Sequence, residues 1–357
     1  MLDDRAPGEE SRGRVRLRWL TRESTALILG AGVVAAILSH RQEAEPPRPS
    51  PRETTVGGHE NLVESLALAP DRDVLISSGW DGTVRFWDLE PKGPGWGEEI
   101  LKLPHGSQPY AVAPSPDGRY LAVGGSAVLT VWRCGEEGWT PAASMPGADG
   151  RYLAFSPDSR TLAVGGRGGA IRLLAAPSLE EKASLRGLTG MIHDVEFSPD
   201  GSLVAASSFA GELAIWDAKT GARSPLDRNA GRVHCFAFSS DGRTLATARW
   251  LGDDGGVTLW DVETGKPRFV LGAGEGYNAV AFSPGDRLVA AAGVDRMINL
   301  WNPATGAPRG QLTGDIGWVK TILFTDGGAR LAYGGRDGSI RFWDVPATAL
   351  DDHSSTG

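Results

Sequence analysis

The chain repeats one short segment seven times, and this repetition limits its possible folds more than any single residue does. Each segment ends in a Trp-Asp pair or in a related pair at the same position. Successive pairs are 45, 42, 42, 44, 41 and 42 residues apart. Because a unit of this length cannot bury its apolar faces alone, the period predicts similar units that pack side by side. The seven pairs are Trp87-Asp88, Trp132-Arg133, Leu174-Ala175, Trp216-Asp217, Trp260-Asp261, Trp301-Asn302 and Trp343-Asp344.

The first unit, residues 58–90, shows the local structure most clearly. It contains short runs with alternating apolar residues, which is the pattern of β-strands, and turn residues separate these runs. Trp80-Asp81-Gly82 has the composition of a hairpin turn. The predicted strands cover residues 62–68, 74–77 and 83–87, with a fourth near 99–103.

A turn sequence with Pro, Asp and Gly recurs in the other units, and it marks the same point between the first two strands. Its copies are PSPDGR at 114–119, FSPDSR at 155–160, FSPDGS at 197–202, FSSDGR at 238–243, FSPGDR at 282–287 and FTDGGA at 324–329. The chain therefore resembles the WD-repeat (tryptophan-aspartate repeat) β-propeller family over residues 57–347, and in particular its bacterial type with an N-terminal membrane segment. The resemblance implies an all-β, seven-bladed β-propeller of four-stranded blades.

In this family a hydrogen-bonded set of His, Ser or Thr, Asp and Trp braces each blade, and the resemblance implies a structural role for the matching residues. The first unit has the full set and the fifth has three members. The sixth and seventh units keep only Asp and Trp, whereas the third has lost the set. The matching residues are His59, Ser77, Asp81, Trp87, Thr247, Asp254, Trp260, Asp295, Trp301, Asp337 and Trp343.

The two ends of the repeat array are expected to meet. After Trp343-Asp344 the chain has only a polar, turn-rich tail, so the seventh unit lacks a fourth strand of its own. Residues 53–56 precede the first unit at the position of a fourth strand. We expect this segment to pair with residues 339–343 and close the ring, because closure removes two exposed strand edges. The propeller is thus expected over residues 53–347, followed by a disordered tail at 348–357.

The N-terminal residues predict a different structure. Residues 1–23 are a basic, cytoplasmic tail in this interpretation, and residues 24–40 form an uncharged hydrophobic helix that serves as a transmembrane segment or signal anchor. Its apolar centre, residues 26–38, also suits a cleaved signal peptide, and a buried or loose amphipathic helix is a further alternative. Residues 41–52 are a Pro-rich linker. We expect a single-pass membrane protein with an extracytoplasmic propeller or, after cleavage, a secreted one.

Charge and cysteine usage limit the possible partners. Residues 53–357 hold 27 basic and 37 acidic residues, so the propeller lacks the overall basic charge of a nucleic-acid-binding protein. Cys134 and Cys235 fall in non-adjacent units, which are too far apart for a disulfide, so free thiols are expected.

The candidate partner-binding residues occupy two loop positions of the units, on the face where the first strand begins. One position precedes the turn Asp, and the other lies near the start of the first strand, where the units have Glu64, Tyr110, Arg151, His193, His234, Asn278 and Lys320. Large aromatic residues and Arg are enriched at binding hot spots. The predicted binding residues are Trp80, Tyr110, Arg151, Arg167, His193, Phe209, Arg232, Trp250, Trp318, Lys320 and Arg336.

We find no nucleophile elbow, phosphate-binding loop or zinc-type Cys/His spacing, so no catalytic, metal or cofactor residue is predicted. His193-Asp194 looks like a catalytic pair, but neighbours in a strand are expected to point to opposite faces. The chain is therefore interpreted as a non-catalytic protein-interaction scaffold, a monomer or a dimer through the membrane helix, that binds a protein or peptide. The alternative is an exported propeller enzyme or small-ligand binder, of hydrolase or lactonase type, that uses its central channel. A regulatory role beside a separate signalling chain also stays open.

Overall fold

The repeated turns divide the chain into short antiparallel strands, and these strands form seven sheets arranged as blades. The computed structural model describes residues 53–70, 73–90, 95–224, 233–249, 255–293, 296–313 and 318–350. Blades 1 and 2 contain β2 (Val63–Leu68), β3 (Val74–Gly79), β4 (Thr83–Asp88) and β5 (Glu99–Pro104), then β6 (Pro109–Pro114), β7 (Tyr120–Gly125), β8 (Val128–Gly135) and β9 (Gly138–Pro146). Blades 3 and 4 contain β10 (Tyr152–Phe155), β11 (Thr161–Gly165), β12 (Ile171–Ala175) and β13 (Glu181–Leu185), then β14 (Ile192–Phe197), β15 (Leu203–Ser208) and β16 (Leu213–Asp217).

The remaining three blades follow the same order. Blades 5 and 6 contain β17 (Val233–Phe238), β18 (Thr244–Arg249), β19 (Gly256–Asp261) and β20 (Lys266–Leu271), then β21 (Tyr277–Phe282), β22 (Val289–Gly293), β23 (Met297–Trp301) and β24 (Pro308–Thr313). Blade 7 contains β25 (Val319–Thr325), β26 (Arg330–Gly335), β27 (Ser339–Asp344) and the N-terminal β1 (Glu53–Gly58). The fold is the seven-bladed, all-β propeller expected from the repeat.

The first strand of each blade lies next to the channel. These strands contact one another around the ring, and β2 of blade 1 contacts β25 of blade 7. The apolar core lies between neighbouring blades. Val63, Leu75 and Trp87 of blade 1, for example, pack in one cluster with Ile340 and Phe342 of blade 7. Each blade therefore depends on both neighbours for the burial of its faces.

The strand β1 closes the ring. It pairs antiparallel with β27, with Glu53 opposite Trp343 and Gly58 opposite Ser339, which is the pairing expected from the sequence. The Glu53 carboxylate accepts a hydrogen bond from the Tyr333 hydroxyl and lies 3.3 Å from the Arg341 guanidinium. These contacts join the two ends of the described propeller.

Blade 1 contains the complete polar brace. The Nδ1 atom of His59 lies 2.9 Å from the Asp81 carboxylate, and Nε2 lies 2.8 Å from the Ser77 hydroxyl. The Trp87 indole N–H donates to the same hydroxyl at 2.9 Å. Burial lowers the pKa of His59, so this ring is a neutral imidazole that bridges Asp81 and Ser77.

The other blades replace the brace with different contacts. In blade 5 the Trp260 indole donates to Thr247 at 2.8 Å. The brace residues Asp254 of blade 5 and Asp295 of blade 6 lie outside the described residues. In blade 7 Asp337 accepts from Arg341 at 2.6 Å. Tyr333 stands in this blade where blade 1 has Ser77, and the buried indole nitrogen of Trp343 has no hydrogen-bond partner.

Serine side chains stabilise the turns between the first and second strands of the blades. These turns lie on the face of the ring opposite to the hairpins that join the second and third strands. The Ser198 hydroxyl donates to Asp200 at 2.5 Å and accepts from the Leu203 amide at 2.9 Å. The buried serines Ser115, Ser156 and Ser239 repeat both contacts in their own blades. The recurrent SPD sequence is thus a turn motif in which side chains satisfy the backbone.

Three expectations need comment. Blade 4 has three strands in the described part of the chain, with one further bridge between Trp216 and Arg223. Residues 348–350 of the predicted disordered tail belong to the short helix α1 (Ala347–Leu350), where Ala349 is buried in the core of blade 7. Residues 1–52, and with them the predicted hydrophobic helix, lie outside the described residues; none of the described helices is long and apolar enough to span a membrane.

We predict that deletion of residues 50–57 destabilises the propeller strongly. The deletion removes the partner of β27 and the Glu53 contacts, and it exposes Trp87, whose ring packs against Gly57. We expect a loss of at least about 3 kcal/mol in the free energy of unfolding, equivalent to a fall of about 5–10 °C in Tm. Calorimetry should show this fall, whereas deletion of 351–357 serves as the control and leaves Tm unchanged. An unchanged Tm in the first variant would contradict closure by β1.

We predict opposite outcomes for two neighbouring buried serines. Ser77→Ala leaves His59 and the Trp87 indole without their shared partner, which costs about 2–4 kcal/mol. Ser78→Ala removes a buried hydroxyl that has no hydrogen-bond partner, so its effect stays within about 1 kcal/mol and can be stabilising. Denaturant unfolding of both variants measures the difference. Equal destabilisation would show that Ser77 acts only through packing.

Candidate functional site: the channel mouth

A β-bulge near the start of the first strand directs one extra side chain of most blades towards the channel. In blade 4 the pairing of β14 with β15 skips His193, and in blade 1 the pairing of β2 with β3 skips Glu64. A bulge leaves two residues opposite one, which bends the strand and redirects a side chain. The bulged residues are Glu64, Tyr110, His193, His234, Asn278 and Lys320. These six residues occupy the position near the start of the first strand that the sequence analysis selected. Together with Arg151 of blade 3 they form what we call the channel mouth.

The channel mouth is continuous from blade 7 to blade 3. The Lys320 ammonium lies 3.3 Å from the Glu64 carboxylate, which also accepts from the Trp80 indole at 3.0 Å. Trp80 packs edge-to-face on Tyr110, with ring centroids 6.3 Å apart. The Arg151 guanidinium stacks on Tyr110 at 4.2 Å. Side chains of four blades thus contact one another around one side of the opening.

Aromatic and imidazole rings continue the channel mouth into blades 4 and 5. His193 packs on Tyr152, on His234 and on Phe209, with centroid distances of 5.4, 3.9 and 5.9 Å. Burial, followed by the nearby Lys320, lowers the pKa of His193 to about 4. Burial, followed by His193 and Lys320, lowers the pKa of His234 to about 2. Both imidazoles are therefore neutral at physiological pH, which allows the close contact between their rings.

Three large aromatic side chains are exposed on the face of the ring that contains the channel mouth. Phe209 is 70% exposed, Trp80 39% and Trp318 37%. Arg167 and Arg336 are also exposed on this face; the Arg167 amide donates to Asp149, and the Arg336 amide donates to the carbonyl of Trp318. Exposed apolar side chains bordered by charged ones are typical of interaction surfaces. Arg232 and Trp250 lie outside the described residues.

A cavity of about 280 Å³ opens inside the channel mouth. Asp194 and Glu196 of β14 line it, and each accepts a backbone N–H of β17, from Phe236 at 3.2 Å and from Phe238 at 3.3 Å. Burial raises the pKa of Asp194 to about 6, although the backbone hydrogen bonds oppose this change. Burial and the charge of Asp194 raise the pKa of Glu196 well above its usual range.

The prediction that His193 and Asp194 point to opposite faces is wrong. Both residues line the cavity, because the bulge at His193 interrupts the alternation of the strand. The pair nevertheless lacks the geometry of a metal site: within the described ranges, no group of three or more His, Cys, Asp or Glu side chains could hold a metal ion. Cys134 and Cys235 are free thiols, as expected.

Comparison with known families agrees with the repeat. The family described as "WD domain, G-beta repeat" matches residues 51–88, 97–133, 180–217, 224–261, 265–302 and 306–344. The chain belongs to the WD40 repeat family. The unmatched segment between 133 and 180 contains most of blade 3, the blade that has lost the polar brace. Five of the six matches begin one strand before the first strand of a blade, so β1 counts as part of the first WD40 repeat.

Curated relatives share this WD40 region. Telomerase protein component 1 of Mus musculus is 29% identical over 296 residues, 79% of this chain and 11% of the relative. Protein tipD of Dictyostelium discoideum is 38% identical over 114 residues, 32% of this chain and 18% of the relative. Apoptotic protease-activating factor 1 of Rattus norvegicus is 24% identical over 291 residues, 81% of this chain and 22% of the relative. The chain therefore spans less than a quarter of each of these longer proteins.

Sequence reasoning missed Glu196 and considered Asp194 only as one member of a pair that it set aside. At the position of Asp194, other WD40 blades have Ser65, Ala111 or Ala279, and at the position of Glu196 they have small or apolar residues such as Ala67. The two carboxylates are thus unusual among the repeats. Aligning the first strands with one another, rather than reading each alone, would have revealed them.

We predict that ionisation of Asp194 reduces the stability of the propeller. Its pKa is about 6 in the folded protein, against about 3.9 when unfolded. The group therefore stabilises the fold below the unfolded pKa, and this contribution is lost as the pH rises through the folded pKa. Asp194→Asn stays neutral. The Tm of this variant relative to the wild type should increase from about pH 5 to about pH 8.

The matched control for this prediction is Asp200→Asn in an exposed turn. Hydrogen bonds from Ser198 and the Ser202 amide lower the pKa of Asp200, so this carboxylate stays ionised at both pH values. The difference in Tm between Asp200→Asn and the wild type should stay constant over the range. A similarly constant difference for Asp194→Asn would show that Asp194 is not the titrating group.

Proposed function

We propose that this WD40 propeller is a non-catalytic interaction scaffold that binds a protein or peptide partner at the channel mouth. The observation that carries the proposal is a pair of contact series around the opening, with exposed aromatic rings beside them. One series runs from Lys320 through Glu64, Trp80 and Tyr110 to Arg151, and the other joins Tyr152, His193, His234 and Phe209. Fixed aromatic side chains bind with little further loss of conformational entropy. The bulges hold Tyr110 and His193 in place, and Trp80 packs on Tyr110, so part of the surface is formed before a partner arrives.

The charge distribution favours a protein partner over a nucleic acid. The propeller carries more acidic than basic residues, and the basic groups of the channel mouth already have acidic neighbours. Lys320 pairs with Glu64, and Arg151 pairs with Asp149 at 3.0 Å. Nucleic-acid binding needs free positive charge for the phosphates, which this surface offers in small amount.

We further propose that residues 24–40 attach the protein to a membrane as a signal anchor, with residues 1–23 in the cytoplasm and the propeller outside it. Support comes from the sequence: an uncharged segment with an apolar centre follows a cluster of Arg residues. A protein of the bacterial WD-repeat type, either monomeric or paired through this segment, is the architecture that this pattern favours. A secreted form after cleavage is the alternative.

We predict that the triple variant Trp80→Ala, Phe209→Ala, Trp318→Ala folds normally and loses its partner. The side chains are exposed, so their removal changes Tm little, but hot-spot residues cost about 2 kcal/mol or more each in binding. A photo-crosslinking amino acid at Arg336, exposed on the same face, should capture the partner in the native host. The triple substitution should abolish that crosslink.

Val270 of β20 provides the matched control. This side chain is 55% exposed on the outer strand of blade 5, away from the channel mouth. A crosslinker at position 270 should capture nothing specific, and Val270→Ala should leave the crosslink at position 336 intact. A crosslink at position 336 that survives the triple substitution would show that the partner binds elsewhere.

A further inference from the structure

The cavity below the channel mouth has the dimensions of a site for one side chain. Its volume of about 280 Å³ lies just below the range of about 300–1,000 Å³ that is typical of pockets for drug-sized ligands. It opens at the centre of the surface that we propose for partner binding. A group that enters it would therefore belong to a bound partner and project from the interface into the channel.

The cavity contains more negative than positive groups. The carboxyl groups of Glu64, Asp194 and Glu196 line it, whereas Lys320 is its one cationic lining residue in the described part of the chain. The Lys320 ammonium is already held by Glu64 at 3.3 Å. Asp194 and Glu196 receive only backbone N–H donors. Among the described residues neither Asp194 nor Glu196 forms an ion pair, although Lys320 lies near enough to Asp194 to favour its ionised form.

Two buried polar atoms in the same cavity have no hydrogen-bond partner. They are Oδ1 of Asn278, which is 4% exposed, and Nδ1 of His193, which is 8% exposed. The amide nitrogen of Asn278 donates to the Val319 carbonyl at 3.4 Å, which leaves Oδ1 as an acceptor. Buried polar atoms without partners are rare in folded proteins, and an absent ligand is one reason for them. The Asn278 oxygen is independent of the acidic pair and indicates the same kind of guest, a hydrogen-bond donor.

We infer that the cavity binds the guanidinium group of an arginine side chain of the partner. The inference rests on the proposed function, because the partner supplies this side chain. Asp194, Glu196 and Asn278 provide acceptors, and a guanidinium presents five N–H donors with a permanent positive charge. An anion is disfavoured by the carboxylates, and an apolar group would leave the buried acceptors unsatisfied.

Contacts within the protein favour arginine over lysine. The channel mouth already holds one guanidinium on an aromatic ring, because Arg151 stacks on Tyr110 at 4.2 Å. Tyr152 also lines the cavity, so a second aromatic ring lies beside the space that a guanidinium would enter. A lysine ammonium has three donors on a compact head, whereas the planar guanidinium presents five donors in a wider fork, which suits acceptors that come from more than one strand.

The test uses the full-length protein and small amides, so no partner needs to be known. N-acetyl-arginine amide is compared with N-acetyl-lysine amide and with N-acetyl-citrulline amide, which has the shape of arginine without its charge. Binding is measured by calorimetry and by NMR shifts. We expect the arginine compound to bind at least about tenfold more tightly than citrulline, because hydrogen bonds between charged groups are lost in the neutral compound.

Two substitutions should change the affinity for the arginine compound in opposite directions. The double change Asp194→Asn, Glu196→Gln removes the free acidic groups and should weaken binding about tenfold. Lys320→Met removes the competing cation and should strengthen binding about threefold or more. Because the second variant gains affinity, a general loss of folding cannot imitate the result. The affinity for citrulline amide should change little in either variant.

The pH dependence of the affinity for the arginine compound is a second test of the inference. The titratable groups beside Asp194 are Tyr152, His193, Glu196, Cys235 and Lys320. Burial raises the pKa of Tyr152 and that of Cys235, and burial lowers the pKa of His193, so these three stay neutral near pH 7. Affinity for the arginine compound should therefore rise from about pH 5 to about pH 8, as Asp194 ionises.

The outcomes separate this inference from the proposed function. Equal affinity for the arginine and citrulline compounds, or no binding of the arginine compound at tens of millimolar, overturns the inference while partner capture at the aromatic side chains can still hold. Preference for the lysine compound overturns the choice of arginine. A third outcome combines two results: the arginine compound binds, and partner capture survives the triple aromatic substitution. This outcome supports the arginine site in the cavity and contradicts the proposed docking face.

Discussion

The structure depends on closure of the ring by one short strand pair. Every blade buries its faces against two neighbours, and blade 1 packs on blade 7, whose sheet is completed by β1. The seventh blade lacks the His and Ser of the brace found in blade 1. In their place Tyr333 and Arg341 both contact Glu53 of the closing strand. In blade 1 the polar contacts join strands of one blade, whereas in blade 7 the contacts at the same positions join the two ends of the ring.

Closure also determines the geometry of the candidate site. The channel mouth consists of residues at the start of the first strands, and these strands keep their spacing only in a complete ring. The ion pair between Lys320 and Glu64 crosses the junction between blades 7 and 1, next to the closing strand. Loss of closure would therefore alter the binding surface and the core together. Stability and binding are coupled here through the position of the inner strands rather than through a separate hinge.

Much of the fold could be predicted from the sequence because its signals repeat. The period of the Trp-Asp pairs predicted seven blades, and the polar tail after Asp344 predicted that an N-terminal strand completes the last one. The details of the site were less accessible. A bulge at His193 places both His193 and Asp194 in the channel, whereas alternation within a strand predicts opposite sides. A bulge changes the register by one residue and leaves no composition signal in a single strand. Arg232 and Trp250, two of the predicted binding residues, lie outside the residues that the structure describes.

The two faces of the ring differ in how their polar groups are satisfied. On the turn face, serines such as Ser115 and Ser198 bond both an Asp and a backbone amide, although the buried hydroxyl of Thr325 in blade 7 has no hydrogen-bond partner. At the channel mouth, Asn278 and His193 keep buried atoms without partners, and Phe209 is largely exposed. Unsatisfied polar atoms and exposed aromatic surface both cost free energy in the isolated protein. A partner that covers them would recover this free energy, which supports our proposal that the channel mouth is the docking face.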